Sequence, residues 1–126
     1  MEVPRAVNAV AHMAAGLAFQ HRQNFAPLRF RNFVDQFKSI HPATSENGFI
    51  FLSAKNSNQI RTLRNQLIEK NILFTDFTET MVEGTHVEQQ KAFDVTPEIE
   101  LEYFGICFFH NIVEAKELTK KFQLYR

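Results

Sequence analysis

Apolar residues dominate the stretch "VPRAVNAVAHMAAGLAF" at positions 3–19. Pro4 suits a first helical position, because its missing N–H has no intrahelical partner to lose. The pattern predicts a helix over 3–19, apolar nearly all round through Val7, Val10, Met13, Ala14 and Leu17, and so buried on most sides. Arg5, Asn8 and His12 fall at i, i+3 and i+7 and share one face. Gly16 continues that stripe and gives another backbone room to approach. The stripe is expected to border a cleft.

Between residues 22 and 48 the period is ambiguous. Leu28, Phe30 and Val34 have strand spacing, whereas Phe30, Phe33, Phe37 and Ile40 lie near helical spacing, and periodicity alone does not arbitrate so short a run. The reading adopted is an extended segment at about 28–35, with "HPATSENG" as a loop on its turn chemistry. "FIFLSA" at 49–54 reads as a buried strand. "NSNQIRTLRNQLIEKN" reads as a helix capped by Asn56, with Gln59 at the capping-box position and Asn71 at its end. "ILFTDF" at 72–77 is the next strand, which makes strand–helix–strand a crossover between parallel strands. Residues 78–97 read as a long loop. "IELEYFGICFFH" at 99–110 reads as a central strand, and "NIVEAKELTKKFQLYR" as a closing helix capped by Asn111, with Glu114 three residues on. The order predicts a three-layer α/β/α sandwich with a small mixed sheet.

Composition narrows the class. One domain spanning 1–126 is expected from a length of 126 residues. Formal net charge is zero, which argues against a strongly basic nucleic-acid binder. Residues 1–40 hold a mild cationic excess, five cations (Arg5, Arg22, Arg29, Arg31, Lys38) against Glu2 and Asp35, so nucleic acid stays open as a partner. The single cysteine, Cys107, cannot form an intramolecular disulfide and suits a reducing, cytoplasmic setting. No apolar run reaches the ~18 residues of a membrane span, and no signal peptide is read at the start. Four scattered glycines make no phosphate loop, and the histidines lack metal spacing, so neither a cofactor nor a metal is expected. Phenylalanine occurs 14 times and tryptophan not at all. The series Phe19, Phe25, Phe30, Phe33, Phe37 is read as core, with a dimer surface as the alternative.

"MEVPRAVNAVAHMAAG" resembles the start of the type 2 peptidyl-tRNA hydrolases: Met1, Arg5, His12 and Gly16 fall in step with that family's first turn and helix, and "LTKKFQLYR" is similar to its end. A fuller resemblance is to the domain-of-unknown-function family numbered 2000, a relative of those hydrolases. It rests on "NAVAHMAAGL", His41-Pro42, the "DFT" at 76–78 and "LTKKF", in order. The resemblance implies the hydrolases' fold, with an apolar strand ahead of the first helix that this sequence does not show. The gap is expected to be filled by the 28–35 segment or by a second copy of the chain, which would make a homodimer.

The resemblance also implies a site. The hydrolase positions for Lys, Gln, Asp and Thr hold Arg5, Ala9, Asp76 and Thr80 here. Arg5, Asp76 and Thr80 are therefore the candidate catalytic residues, with Asn8, His12 and Thr78 as candidate binding residues beside them. A carboxylate can orient or deprotonate a water, and a cation with a hydroxyl can stabilise a developing oxyanion. Arginine is a poor proton shuttle, and Ala9 offers no amide. Asp76, Thr78 and Thr80 equally suit a strand end and turn, and His12 equally suits a satisfied core position. Two functions follow: a hydrolase of an ester or amide, or a non-enzymatic module that keeps the cleft and binds a small molecule or a protein.

Overall fold

The computed structural model describes residues 2–24 and 26–126. Helix α1 (Val3–Gln20) is followed by strands β1 (Phe30–Val34), β2 (Ile40–Ser45) and β3 (Leu52–Ser53). Helix α2 (Ser57–Glu69), strand β4 (Phe74–Thr78), helix α3 (His86–Asp94), strand β5 (Tyr103–Phe108), helix α4 (Ile112–Leu118) and strand β6 (Gln123–Leu124) complete the chain. Among the described residues the strands form three separate ribbons, β1–β2, β3–β6 and β4–β5, each antiparallel. The fold is mixed α/β, but the expected parallel crossover is not formed. β3 pairs with the chain terminus and β4 with β5, so α2 does not join two hydrogen-bonded neighbours.

The β4–β5 ribbon positions everything else. On one side, Phe77 packs on Ala9 and Met13 of α1, with Cys107 beside them. On the other, Phe74, Ile106 and Phe108 pack on Leu63 and Leu67 of α2 and on Ile72. Helix α1 buries a single stripe, Ala6, Ala9, Met13 and Leu17. The all-round burial expected of it does not occur, and Val3, Val7 and Phe19 face outward. A helix laid on a two-stranded ribbon has only one covered face. Gly16 faces Thr75, whose Cγ2 would lie 3.1 Å from an added Cβ, and the Thr75 hydroxyl donates to the Met13 carbonyl at 2.8 Å. The close approach is thus to a side chain that anchors helix to strand.

Several caps form as the sequence predicts. The Asn56 side chain accepts from the Gln59 amide at 2.9 Å, and the Asn111 side chain from the Glu114 amide at 2.9 Å. Asn71 follows α2 at φ 56°, a left-handed turn that asparagine tolerates. Lys70 and His110 both contact Glu114, tying α4 to the end of α2. The His110 hydrogen bond, helped by Lys70, lowers the Glu114 pKa.

Other expectations fail for local reasons. The 78–97 segment is not a loop throughout: it holds a 3₁₀ turn at Glu79–Met81 and then α3. Thr85 caps α3, accepting from the Glu88 amide at 3.3 Å, so the Thr85-x-x-Glu88 box was a readable start signal. The closing helix stops at Leu118. Thr119 turns its hydroxyl onto the Ala115 carbonyl, Phe122 enters the Leu63–Leu67 cluster, and Tyr125 stacks on Phe51 at 4.3 Å between centroids. "HPATSENG" is not a loop either, because Ile40–Ser45 pairs with β1 across a register shift between Arg31 and Phe33. Pro42 lies opposite that shift, where the ladder has no use for its missing N–H.

The 28–35 segment is extended as expected, yet it does not enter the β4–β5 ribbon. It pairs only with β2, and every residue of both strands is exposed. The first route proposed for filling the gap is therefore overturned. Phe19, Phe30, Phe33 and Phe37 are exposed rather than core; Phe25 lies outside the described residues.

Candidate functional site

Strand alternation divides the predicted site residues. Thr75 and Phe77 point to α1, so Asp76 between them points to α2. There Arg64 Nε lies 3.4 Å from Asp76 Oδ2. Arg64 Nε is buried without a hydrogen-bond acceptor, so the contact is an ion pair with poor hydrogen-bond geometry. Burial raises the Asp76 pKa above the ordinary carboxylate value, and Arg64 opposes that only in part. The Arg61 side chain donates to Glu98 Oε1 at 3.1 Å and to the Leu101 carbonyl. The Tyr103 hydroxyl donates to the same Glu98 oxygen at 3.2 Å. Tyr103 is pushed up to about 12, mainly by its own burial. Arg61, Arg64, Asp76, Glu98 and Tyr103 thus make one polar cluster between α2 and the ribbon. Its members serve one another, which is the behaviour of a structural network.

On the α1 side lies a cleft of about 370 Å³, lined by Pro4, Arg5, Asn8, Phe77, Val82, Glu83 and Phe104. Arg5 and Asn8 come from the predicted stripe, one turn apart on α1. His12, a turn further, is exposed and stacks on Phe77 with ring centroids 6.1 Å apart. Arg5, Asn8 and His12 are therefore brought together around Phe77, as their spacing predicts. Asp76 is on the other face of its strand. Thr78 and Thr80 lie at the end of β4, their hydroxyls hydrogen-bonded at 2.7 Å. Thr78 is almost fully buried and does not line the cleft, whereas Thr80 precedes the cleft residues Val82 and Glu83 by one turn.

Phe104 reaches the cleft through a bulge. The register runs Phe77↔Gly105 and then Thr78↔Tyr103, so Phe104 is the extra residue. Gly105 faces Met13, whose Cε would be 2.7 Å from an added Cβ, and Phe104 packs on the same side, while Tyr103 packs with Ile60 and Leu101 on the other. A bulge is what permits two consecutive side chains to share a face. Phe104 and Glu83 were not read as site residues. A bulge leaves no mark in hydrophobic periodicity, and Glu83 lies in a polar segment whose sequence reads as loop.

No hydrogen bond or ion pair engages the side chains of Arg5, Asn8 or Glu83 among the described residues. Burial raises the Cys107 thiol, which suits an unreactive position under α1. Among the described residues no group of three or more His, Cys, Asp or Glu is arranged to hold a metal, and no helix is long and apolar enough to cross a membrane.

A ribbon sandwiched between helices, with a small cleft where the first helix meets the strand ends, defines an α/β domain with a candidate binding face on α1. The family model for "Protein of unknown function (DUF2000)" matches residues 1–126, and the chain belongs to that family. Among solved structures it is similar to the protein of unknown function Atu0240 from Agrobacterium tumefaciens strain C58, with a TM-score of 0.81 and 14% identity over 100% of this chain and 90% of that one. That likeness is one of fold. No curated protein matches the chain.

Proposed function

We propose that the chain is a binding module for a small bipolar molecule, with the layering of the type 2 peptidyl-tRNA hydrolases but without their turnover. The observation that carries this reading is the separation of Asp76 from Arg5 by the thickness of the ribbon. A carboxylate engaged with Arg64 on the far face is not placed to activate a water at the α1 cleft. Ala9 supports the same reading: it is only 2% exposed, packed with Phe77 and Met13, and its methyl offers the cleft no hydrogen-bonding group. What the cleft offers is recognition. The Arg5 guanidinium suits a carboxylate or phosphate group, Glu83 suits an N–H or ammonium group, Asn8 both donates and accepts, and Phe77 with Phe104 suits an apolar or aromatic body.

Titration calorimetry with a panel of free amino acids and aromatic carboxylates tests this. Arg5→Ala is expected to weaken binding about tenfold or more, as loss of a charge-assisted hydrogen bond does, with an unchanged circular dichroism spectrum. No peptidyl-tRNA hydrolysis is expected. Turnover on the order of 1 s⁻¹ that Asp76→Asn abolishes would replace this reading with the hydrolase one.

A further inference from the structure

Among the described residues, the substantial contacts of the β1–β2 hairpin are between its own two strands. Both strands are exposed along their whole length, and the arm displays Phe33, Val34, Phe37 (85% exposed) and Ile40 (67% exposed), with Phe49 and Ile50 exposed just beyond it. A lone two-stranded hairpin is marginally stable at best in water. This one is shaped by local contacts. Asp35 accepts from the amides of Phe37 and Ser39 and pairs with His41, Lys38 takes the left-handed position of the turn, and Glu46 pairs with Arg29 and Arg31. Glu46 is shared by two guanidiniums and Lys38 has no ion-pair partner among the described residues, so the arm keeps a small net positive charge beside a largely apolar surface.

The whole chain shows the same deficit. It exposes 9266 Å², whereas a folded monomer of 14.7 kDa is expected to expose about 6,900 Å². The excess, about 2,300 Å², is well above the ~800 Å² per partner of an ordinary transient interface and is on the scale of an obligate homodimer. We propose that the hairpin is the centre of a two-fold interface, in which each copy of the chain covers the hairpin of the other. A second copy suits the surface on two counts. The chain has zero net charge, so copies carry no overall repulsion, and an apolar patch can be covered by its own two-fold image.

Light scattering on the full chain, across the micromolar range, decides it. The expected mass is near twice 14.7 kDa. Phe33→Asp combined with Ile40→Asp is expected to give a monomer with an unchanged circular dichroism spectrum. Phe37→Glu, at the most exposed position and therefore harmless to the protomer's own folding, is expected to raise the dimer dissociation constant about tenfold or more, and it decides the matter if the double variant does not fold. A wild-type chain that is monomeric throughout this range overturns the proposal. So does a dimer that Phe37→Glu and the folded double variant leave intact, since the contact then lies elsewhere.

Discussion

Leu67→Ala is expected to lower unfolding free energy by about 2–5 kcal/mol, the range for deleting a buried leucine's methyl groups and leaving a cavity. Among the described residues, Leu67 is the one large apolar side chain with no exposure at all, and its neighbours come from α2, β4, β5, α4 and the turns beside them: Leu63, Ile72, Phe74, Ile106, Phe108, Leu118 and Phe122. Those groups are held by different strands and helices, so they cannot all close on the space left behind. A domain of this size has only ~5–15 kcal/mol in total, so the variant sits near the limit of folding. Urea denaturation followed by circular dichroism measures the loss. A change below about 1 kcal/mol would mean that this cluster is not the part of the core that limits stability.

Arg64→Met is expected to cost about 1–3 kcal/mol at neutral pH, less than the ~3–5 kcal/mol for breaking a fully buried pair, because Arg64 and Asp76 each keep about a quarter of their exposure. The methionine fills most of the volume but leaves Asp76 desolvated without its cation. The sign of the pH dependence follows. Asp76 is an acid whose folded pKa is already raised by burial, and without Arg64 it rises further. The folded variant then binds its proton more tightly than the unfolded chain does. Relative to the wild type, the deficit from this charge is therefore absent below the wild type's own raised Asp76 pKa, grows as pH climbs from there to the variant's higher folded pKa, and is complete above it. Asp76→Asn removes the charge and with it this pH-dependent term, so in combination with Arg64→Met it should recover part of the loss at neutral pH. Denaturant midpoints for the three variants at several pH values test the scheme. A deficit that is as large in acid as at neutrality would show that Arg64 matters through packing alone.

What the sequence made legible was local. The Pro4 start of α1, the Asn56 and Asn111 caps and the turn at Asn71 each depend on a few neighbouring residues and were correctly placed. The α1 stripe was also legible, since helical spacing puts Arg5, Asn8 and His12 on one side wherever the helix docks. What failed was long-range. Nothing within "FIFLSA" says that Leu52 and Ser53 pair with the chain end rather than with a parallel neighbour, and nothing in "LTKKF" says that Phe122 is wanted by a core on α2. The hairpin escaped because its apolar residues were read as core on composition. Asp76 was assigned to the α1 cleft by resemblance, while simple alternation between Thr75 and Phe77 already put it on the opposite side once α1 was known to lie against them.

The bulge at Phe104 couples two regions that otherwise share no side chain. Because one surplus residue separates Tyr103 from Gly105 in register, the aromatic wall of the cleft and the anchoring of Tyr103 beside Arg61 and Arg64 are set by the same unit of slack. Deleting that residue would leave Tyr103 opposite Thr78 and facing α2 while stripping the cleft of its aromatic wall, whereas ironing out the bulge at full length would set Phe104 opposite Thr78 and turn Tyr103 toward α1. Point substitutions can alter either side alone, but the bulge cannot be straightened at constant length without moving Phe104 to the α2 face and Tyr103 to the α1 face.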